Sequence, residues 1–235
     1  MKVCKFGGSS CANAEQIRKV CDIVLADADR KVVVVSAPGK RNPEDSKVTD
    51  LLITLGNAVV SGYDGRRERE AVIGRFATIS SDLGLDGQLV ETLREDLDHR
   101  LSSGCDNRNR FMDLIKSAGE DYCARLFSAY LTHLDVKATY VSPATAGMFV
   151  TPEFGNAQIL PESYDKLSSL DRIPGIIVFP GFFGITPEGE VATFSRGGSD
   201  ITGSILAAAL NASVYENWTD VDSVYSVNPT LVANP

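Results

Sequence analysis

The sequence of 235 residues has little of what metal sites and disulfide scaffolds are built from: it contains two histidines and five cysteines. The cysteines are odd in number, widely spaced and never arranged as C-x-x-C, so neither a zinc-ligand set nor a disulfide framework is indicated. Free cysteines pack as small hydrophobic side chains. We therefore expect reduced, mostly buried thiols at Cys4, Cys11, Cys21, Cys105 and Cys123.

Basic residues are in the minority, and long apolar runs are missing. The 31 acidic and 23 basic residues leave a formal charge of −8, and no basic stripe occurs. Nucleic acid and anionic membrane surfaces are therefore not expected as partners. No apolar run is long enough to span a bilayer, and the first residues lack the pattern of a secretion signal. These features favour a cytoplasmic protein.

The overall composition is that of an ordinary globular domain. Hydrophobic residues make up 43% of the chain and charged residues 23%. No internal repeat, low-complexity segment or linker divides the sequence, and this length can bury one large core. We expect a single domain over residues 1–235.

Two continuous apolar runs, residues 32–35 and 175–179, predict central strands of a parallel sheet covered on both faces. Apolar residues at helical spacing predict helices between such strands, and alternating strands and helices favour an α/β sandwich. A turn signal at residues 185–190 predicts a hairpin. Helices are expected over residues 14–28, 48–60, 66–100 with a break at 84–87, 108–134 and 199–210. Shorter strands are expected over residues 137–141 and 213–216.

A glycine pair follows the first strand, in residues 5–10 (KFGGSS). Glycines let backbone N–H groups approach an oxyanion, a following helix adds its positive end, and Lys5 can place a charge between phosphates. The same pattern also occurs in plain tight connections between a strand and a helix. This segment alone leaves both interpretations open.

A second glycine pair, in residues 195–200 (SRGGSD), precedes the small apolar helix near the end of the chain. Arg196 can hold a carboxylate or phosphate with two hydrogen bonds, and the helix N-terminus adds backbone donors. The alternative is a helix start capped by Ser199, with Asp200 favourable to the helix dipole.

A third polar segment, residues 217–225 (NWTDVDSVY), follows the last predicted strand. Ligands of α/β sheets bind just beyond the carboxyl ends of the strands, and Tyr225 could border a nucleobase. Asp220 and Asp222 also resemble a turn pair or a fragment of a calcium loop, but the glycine and the distal glutamate of such a loop are absent.

Together these motifs suggest one crevice with two anionic occupants, and they resemble the amino-acid kinase family, within it most closely the aspartate kinases. The matching runs occur in the family's order from end to end: residues 5–10, 34–40, 48–52, 117–120, 181–184, 196–200 and 219–225.

The resemblance implies a fold and a reaction. The fold is a three-layer αβα sandwich around a mainly parallel sheet, the amino-acid kinase fold. The reaction transfers the γ-phosphoryl group of ATP to the β-carboxylate of L-aspartate, giving 4-phospho-L-aspartate, the first step of lysine, threonine and methionine biosynthesis. A carboxylate is already nucleophilic at neutral pH, so the absence of a plausible catalytic histidine agrees with this chemistry.

The resemblance also implies residue roles. Lys5 would stabilise the phosphoryl group in transit, and Asp200 would orient Lys5. Arg196 would pair with the α-carboxylate of aspartate, and Glu120 with its ammonium group. Further substrate-binding residues would be Ser36, Thr49, Phe182, Gly197, Gly198 and Ser199. The ATP-binding residues would be Lys5, Gly7, Gly8, Ser9, Ser10, Thr219, Asp220 and Tyr225.

The expected cofactor is ATP with Mg²⁺. Magnesium dehydrates reluctantly, so phosphates and water should hold it, and no protein ligand is assigned. The expected partners are L-aspartate and ATP, and family members suggest a homo-oligomer for a full-length enzyme.

Three departures from the family pattern limit the resemblance. Asp50 replaces a common asparagine, Thr230 stands where an arginine is common, and the chain stops at Pro235, before the expected end of the kinase domain and without C-terminal ACT domains. Two alternatives therefore stay open: a sister kinase acting on another carboxylate, and a non-catalytic aspartate-binding fragment.

Overall fold

A computed structural model describes residues 1–219, and within them a parallel sheet has five strands in the order β3-β4-β2-β1-β7. A separate antiparallel hairpin joins β5 and β6. The strands are β1 (Lys2–Phe6), β2 (Arg30–Val35), β3 (Ala138–Tyr140), β4 (Ile176–Pro180), β5 (Phe183–Ile185), β6 (Val191–Thr193) and β7 (Val214–Trp218).

Helices connect the parallel strands, as crossovers between such strands require. They are α1 (Ala14–Leu25), α2 (Val48–Val60), α3 (Arg66–Asp82), α4 (Gly87–Ser102), α5 (Arg108–His133), α6 (Pro143–Ala146), α7 (Glu162–Ser168) and α8 (Gly198–Ala209). Single 3-10 turns occur at Gly8–Cys11 and Ser169–Arg172. None of the helices within residues 1–219 combines the length and the apolar character needed to cross a membrane.

The sheet separates two hydrophobic clusters. Because successive side chains of a strand point to opposite faces, Val33 and Val35 of β2 pack with helices α1 to α5, whereas Val32 and Val34 pack with α7 and α8. Burial on both faces explains the continuous valine run. This is the three-layer αβα sandwich that the resemblance implied.

Most predicted elements are confirmed. Helix α2 has the predicted bounds, α5 ends one residue early, and the charged stretch forms the hairpin of α3 and α4. Helix α1 ends at Leu25 rather than residue 28, because Asp27 turns the chain by accepting the Asp29 N–H through its carboxylate. Helices α6 and α7 were not predicted.

A single 3-10 turn lies between the first glycine pair and the helix predicted after it, and that helix begins at residue 14 as predicted. Helix α1 begins five residues later than Ser9, where the Asn13 side chain accepts the N–H of Gln16 at 3.0 Å and so caps its first turn. The glycine pair is therefore followed by a tight turn, and α1 itself starts away from it.

Candidate active site at the carboxyl edge of the sheet

Two adjoining cavities of about 520 and 340 Å³ open where β1, β2 and β4 end. Parallel strands direct their carboxyl ends to the same edge, so segments distant in sequence meet there. The larger cavity is bordered by the first glycine pair and the smaller one by the second. Both are lined by Lys5, Ser36, Lys47, Thr49 and Glu120.

Lys5 lies at the junction of the two cavities. It sits in β1 between Val34 of β2 and Asn217 of β7, and it is only 6% exposed. Its ammonium group is 2.7 Å from a carboxylate oxygen of Asp200, in the first turn of α8. A buried lysine requires such a partner, and this ion pair holds its charge toward the crevice.

The glycine turn is locked to its neighbours by backbone contacts. Gly7 donates its N–H to the carbonyl of Trp218 at 3.0 Å, and Gly39 donates to the carbonyl of Gly8 at 2.8 Å. A side chain on Gly39 would place its Cβ 2.7 Å from the Gly8 carbonyl, closer than atoms can approach. The N–H groups of Gly8 and Ser9 donate to no acceptor within residues 1–219, so they remain available to an anion.

Glu120 is a buried carboxylate on α5 that lines both cavities. The Ala37 backbone N–H donates to it, yet one oxygen, Oε2, has no hydrogen-bond partner in the described part of the chain. Burial raises its pKa to about 8 from the ordinary 4.5, although Lys116 one turn earlier and the Ala37 N–H act in the opposite direction. The unpartnered oxygen suits a cationic group of a ligand.

Arg196 lies exposed at the rim of the smaller cavity and, within residues 1–219, has no ion-pair partner. The next residue, Gly197, has a φ of +78° and precedes α8, a backbone conformation that favours glycine. Phe182 also lies in the left-handed region, with a φ of +80°. Its backbone N–H donates a hydrogen bond to the Thr202 hydroxyl at 3.0 Å, which holds this conformation. Such conformations cluster at functional sites.

The cavities bring together most of the predicted site residues. The larger cavity is lined by Gly7, Gly8, Ser9 and Thr219, and the smaller one by Phe182, Arg196, Gly197, Gly198, Ser199 and Asp200. Ser10 is outside the linings of both, and its N–H donates to the Gly7 carbonyl. Asp220 and Tyr225 lie outside the described residues.

Sequence reasoning missed Lys40 and Lys47, which line the larger cavity. Lys40 ends one of the matching runs, and Lys47 directly precedes another, so both stood beside a signal without being assigned. Within residues 1–219, no group of three or more histidine, cysteine, aspartate or glutamate side chains is arranged to hold a metal ion.

The model of the amino acid kinase family matches residues 1–235. The chain belongs to the amino acid kinase family. Its fold agrees with this membership, because solved structures of aspartate kinases superpose on the whole chain.

Individual relatives within the amino acid kinase family are similar over the full chain. Aspartokinase 3 of Bacillus subtilis is 52% identical over 235 residues, which are 100% of this chain and 52% of that protein. The Clostridium acetobutylicum aspartate kinase structure has a TM-score of 0.81 at 34% identity and covers 100% of this chain and 51% of that one.

The structure of Escherichia coli aspartokinase III in complex with aspartate and ADP has a TM-score of 0.84 at 29% identity, covering 100% of this chain and 52% of that one. The chain thus spans about half the length of the relatives that it matches.

Proposed function

We propose that the chain is the catalytic part of an aspartate kinase, which transfers the γ-phosphoryl group of ATP to the β-carboxylate of L-aspartate. The observation that carries the proposal is the position of Lys5, buried and paired with Asp200 where a glycine-lined cavity meets a cavity bearing Arg196 and Glu120. The similarity of the chain to Escherichia coli aspartokinase III, whose structure is a complex with aspartate and ADP, supports the same pair of ligands.

The smaller cavity matches the charges of aspartate. Arg196 offers a forked guanidinium for the α-carboxylate, and the unpartnered Oε2 of Glu120 offers an acceptor for the ammonium group. Held at both groups, the substrate would direct its β-carboxylate toward Lys5. This arrangement distinguishes an α-amino acid with a second carboxylate from simple carboxylic acids.

The larger cavity suits a polyphosphate. The free N–H groups of Gly8 and Ser9 can donate to phosphate oxygens, and the cation of Lys5 can stabilise charge on the phosphoryl group in transit. We place Thr219 on the nucleotide side, and we propose Asp220 and Tyr225 there from the resemblance.

In the reaction, a β-carboxylate oxygen of aspartate forms a bond to the γ-phosphorus while the bond from that phosphorus to the bridging oxygen breaks. The products are ADP and 4-phospho-L-aspartate, and no proton has to be removed from the nucleophile. Lys5 and the backbone donors therefore act by positioning and charge stabilisation. Mg²⁺ bound to ATP would supply further charge neutralisation, and no residue of the chain is assigned to hold it.

The decisive experiment traps the acyl phosphate with hydroxylamine. The chain, and a longer protein that contains it, are incubated with MgATP and either L-aspartate, L-glutamate, N-acetyl-L-glutamate or succinate. We expect hydroxamate with aspartate and little with the others. A preference for another carboxylate would replace the proposal with a sister kinase.

Titration calorimetry separates the remaining alternative. If the 235-residue chain binds aspartate but not ADP, while the longer protein is active, the chain is an aspartate-binding part that needs further residues for the nucleotide. Absence of binding of both ligands to both proteins would overturn the assignment of the crevice.

A further inference from the structure

The segment 39–47 connects β2 to α2 and forms one wall of the crevice. It carries Lys40 and Lys47, two cations that the proposed reaction has not used. Lys47 lines both cavities, as Lys5 does, whereas Lys40 lines only the larger one. Within residues 1–219, the side-chain ammonium group of Lys47 has no hydrogen-bond or ion-pair partner, so its charge is not neutralised by a carboxylate.

A buried arginine fixes this segment. Arg75 extends from α3 and is only 5% exposed. Its Nη1 donates to the Asp45 carboxylate at 2.9 Å and to the Ser46 carbonyl at 2.8 Å, and its Nη2 donates to the Gly39 carbonyl at 2.8 Å. One guanidinium thereby holds the beginning and the end of the segment.

The segment is also braced internally and against the glycine turn. Arg41 forms two hydrogen bonds to Asp45 through its side chain and a third through its backbone N–H. These Arg41 contacts, together with Arg75, hold the pKa of Asp45 well below its usual range. Because Gly39 donates to the Gly8 carbonyl, Arg75 also supports the turn that would contact phosphates.

We propose that segment 39–47 is a preorganised cationic wall for the polyphosphate of the nucleotide, with Lys47 at the point of transfer, Lys40 farther along the phosphates, and Arg75 as the positioning residue. The inference rests on the proposed function. A polyphosphate is the ligand class that this wall fits, because lysines act as point charges on phosphates and a fixed loop loses little entropy when it binds.

The side chain of Lys47 is exposed, but its backbone lies between two fixed neighbours. It is the last residue before α2, whose first turn carries Thr49 into the same cavity. Because Arg75 donates to the Ser46 carbonyl, it fixes the backbone of the residue directly before Lys47. Lys47 and Lys5 therefore line both cavities from two different segments.

The first test compares Lys47→Ala with Lys31→Ala. Lys31 is an exposed lysine of β2 near the opposite, amino-terminal edge of the sheet and serves as the matched control. We expect kcat/KM for MgATP to decrease at least tenfold in Lys47→Ala and to stay within twofold of the parent in Lys31→Ala. A decrease of less than threefold in Lys47→Ala would overturn the role of Lys47.

The second test separates positioning from general stability. Asp45→Asn weakens the clamp without enlarging any side chain, and Asp27→Asn, which disrupts the ion pair with Lys2 outside the crevice, is its control. We expect the KM for MgATP to rise at least fivefold in Asp45→Asn while the KM for aspartate stays within twofold. The control should leave both constants unchanged.

Arg75→Lys extends this test, because a lysine keeps the charge but cannot donate to several acceptors in the fork of a guanidinium. Its folding is checked by circular dichroism, and if it does not fold, Asp45→Asn alone decides. Equal increases of both KM values, or no increase in Asp45→Asn, would overturn the proposed clamp.

Failure of the proposed function would be recognised separately. A parent protein that makes no hydroxamate from any carboxylate refutes the kinase assignment, but ADP binding by calorimetry still tests the wall. We then expect Lys47→Ala to weaken ADP binding at least fivefold relative to Lys31→Ala. Equal affinities of these two variants would overturn the wall whatever the reaction is.

Discussion

At the scale of single residues, Lys5 has the most clearly defined expected effect. Replacing Lys5 with alanine removes the buried cation at the junction of the cavities but leaves Lys47, Arg196 and Glu120 in place. Because electrostatic stabilisation by one such group contributes about 10²- to 10³-fold, we expect Lys5→Ala to lower kcat by at least that factor. Aspartate affinity, measured by calorimetry, should stay within a few-fold.

The measurement uses whichever form of the protein is active in the hydroxamate assay. Lys31→Ala is again the control, because it removes a lysine outside the crevice. Turnover of Lys5→Ala equal to that of the control would remove Lys5 from the transfer step.

Arg196 is expected to determine the affinity for aspartate. Arg196→Lys keeps the positive charge but loses the two-pronged contact with a carboxylate, so the KM for aspartate should rise about tenfold or more. Steady-state kinetics at saturating MgATP measure this constant. Arg67→Lys, at an exposed position of α3, is the matched control. An unaltered KM would show that Arg196 does not contact the substrate.

The raised pKa of Glu120 predicts that the stability of the protein depends on pH. Its pKa is about 8 in the folded protein, whereas the ordinary value is 4.5. Between pH 4.5 and pH 8 the folded state therefore retains a proton that the unfolded chain has lost. The free energy of unfolding should therefore decrease as the pH rises through this window, by at most about 1.4 kcal/mol per pH unit from this group. Urea denaturation at pH 5, 6, 7 and 8 measures it.

The variant Glu120→Gln cannot ionise, so its stability relative to the parent should improve steadily from pH 5 to pH 8. A constant difference between the two proteins would contradict the raised pKa. In the parent at pH 7, binding of the aspartate ammonium group should release a proton, which appears as a dependence of the calorimetric heat on the buffer.

At the scale of elements, the contact between the glycine turn and segment 39–47 is the most sensitive to volume. Gly39→Ala would place a Cβ 2.7 Å from the Gly8 carbonyl, so both segments must shift. We expect the KM for MgATP to rise about tenfold and the KM for aspartate to change little. Steady-state kinetics with each substrate varied in turn check this.

Gly74→Ala provides the control at this scale. A Cβ at Gly74 meets no atom within 4 Å, and alanine favours a helix over glycine, so this variant should gain roughly 0.5 to 1 kcal/mol of stability with unchanged kinetics. If Gly39→Ala behaves like Gly74→Ala, the close packing of the two turns is not required for nucleotide binding.

The elements differ in how well their sequences predict them. Helix α2 was predicted to the residue because its buried side chains, such as Leu52 and Leu55, repeat at helical spacing. Helices α6 and α7 have four and seven residues, too few for a period to emerge, and long-range packing holds them in place. Local pattern therefore predicts long elements and misses short ones.

Local sequence pattern also fails to identify some residues of the candidate site. Glu120 lies in a helix that is buried nearly all round, so its spacing does not distinguish a solvated glutamate from a buried one, and only the family resemblance identified it. Lys47 resembles any surface lysine in the sequence. Its place depends on Arg75, a residue of a different helix, and no local pattern reports such a partnership.

At the scale of the whole molecule, two ligands in one crevice should stabilise the fold together. A ligand at 100 times its Kd adds about 2.7 kcal/mol, and a chain of this size gains about 2 to 4 °C in Tm per kcal/mol. We therefore expect aspartate and ADP to raise Tm by roughly 5 to 10 °C each in a protein that binds both. Differential scanning calorimetry measures these shifts.

In Glu120→Gln the shift caused by aspartate should disappear and the shift caused by ADP should remain. Loss of both shifts in this variant would indicate that Glu120 supports the whole crevice rather than the amino-acid side.

The pairing of β1 has a consequence for how the protein is made. This strand is synthesised before β2 and β7 but lies between them. The side chains of Cys4 and Glu216, which are in contact across β1 and β7, are 212 residues apart in the chain. Translation at about 5 to 20 residues per second needs roughly 10 to 40 s to cover that interval. On the ribosome, the strand that carries Lys5 thus gains its second neighbour only when residues 214–218 have left the exit tunnel.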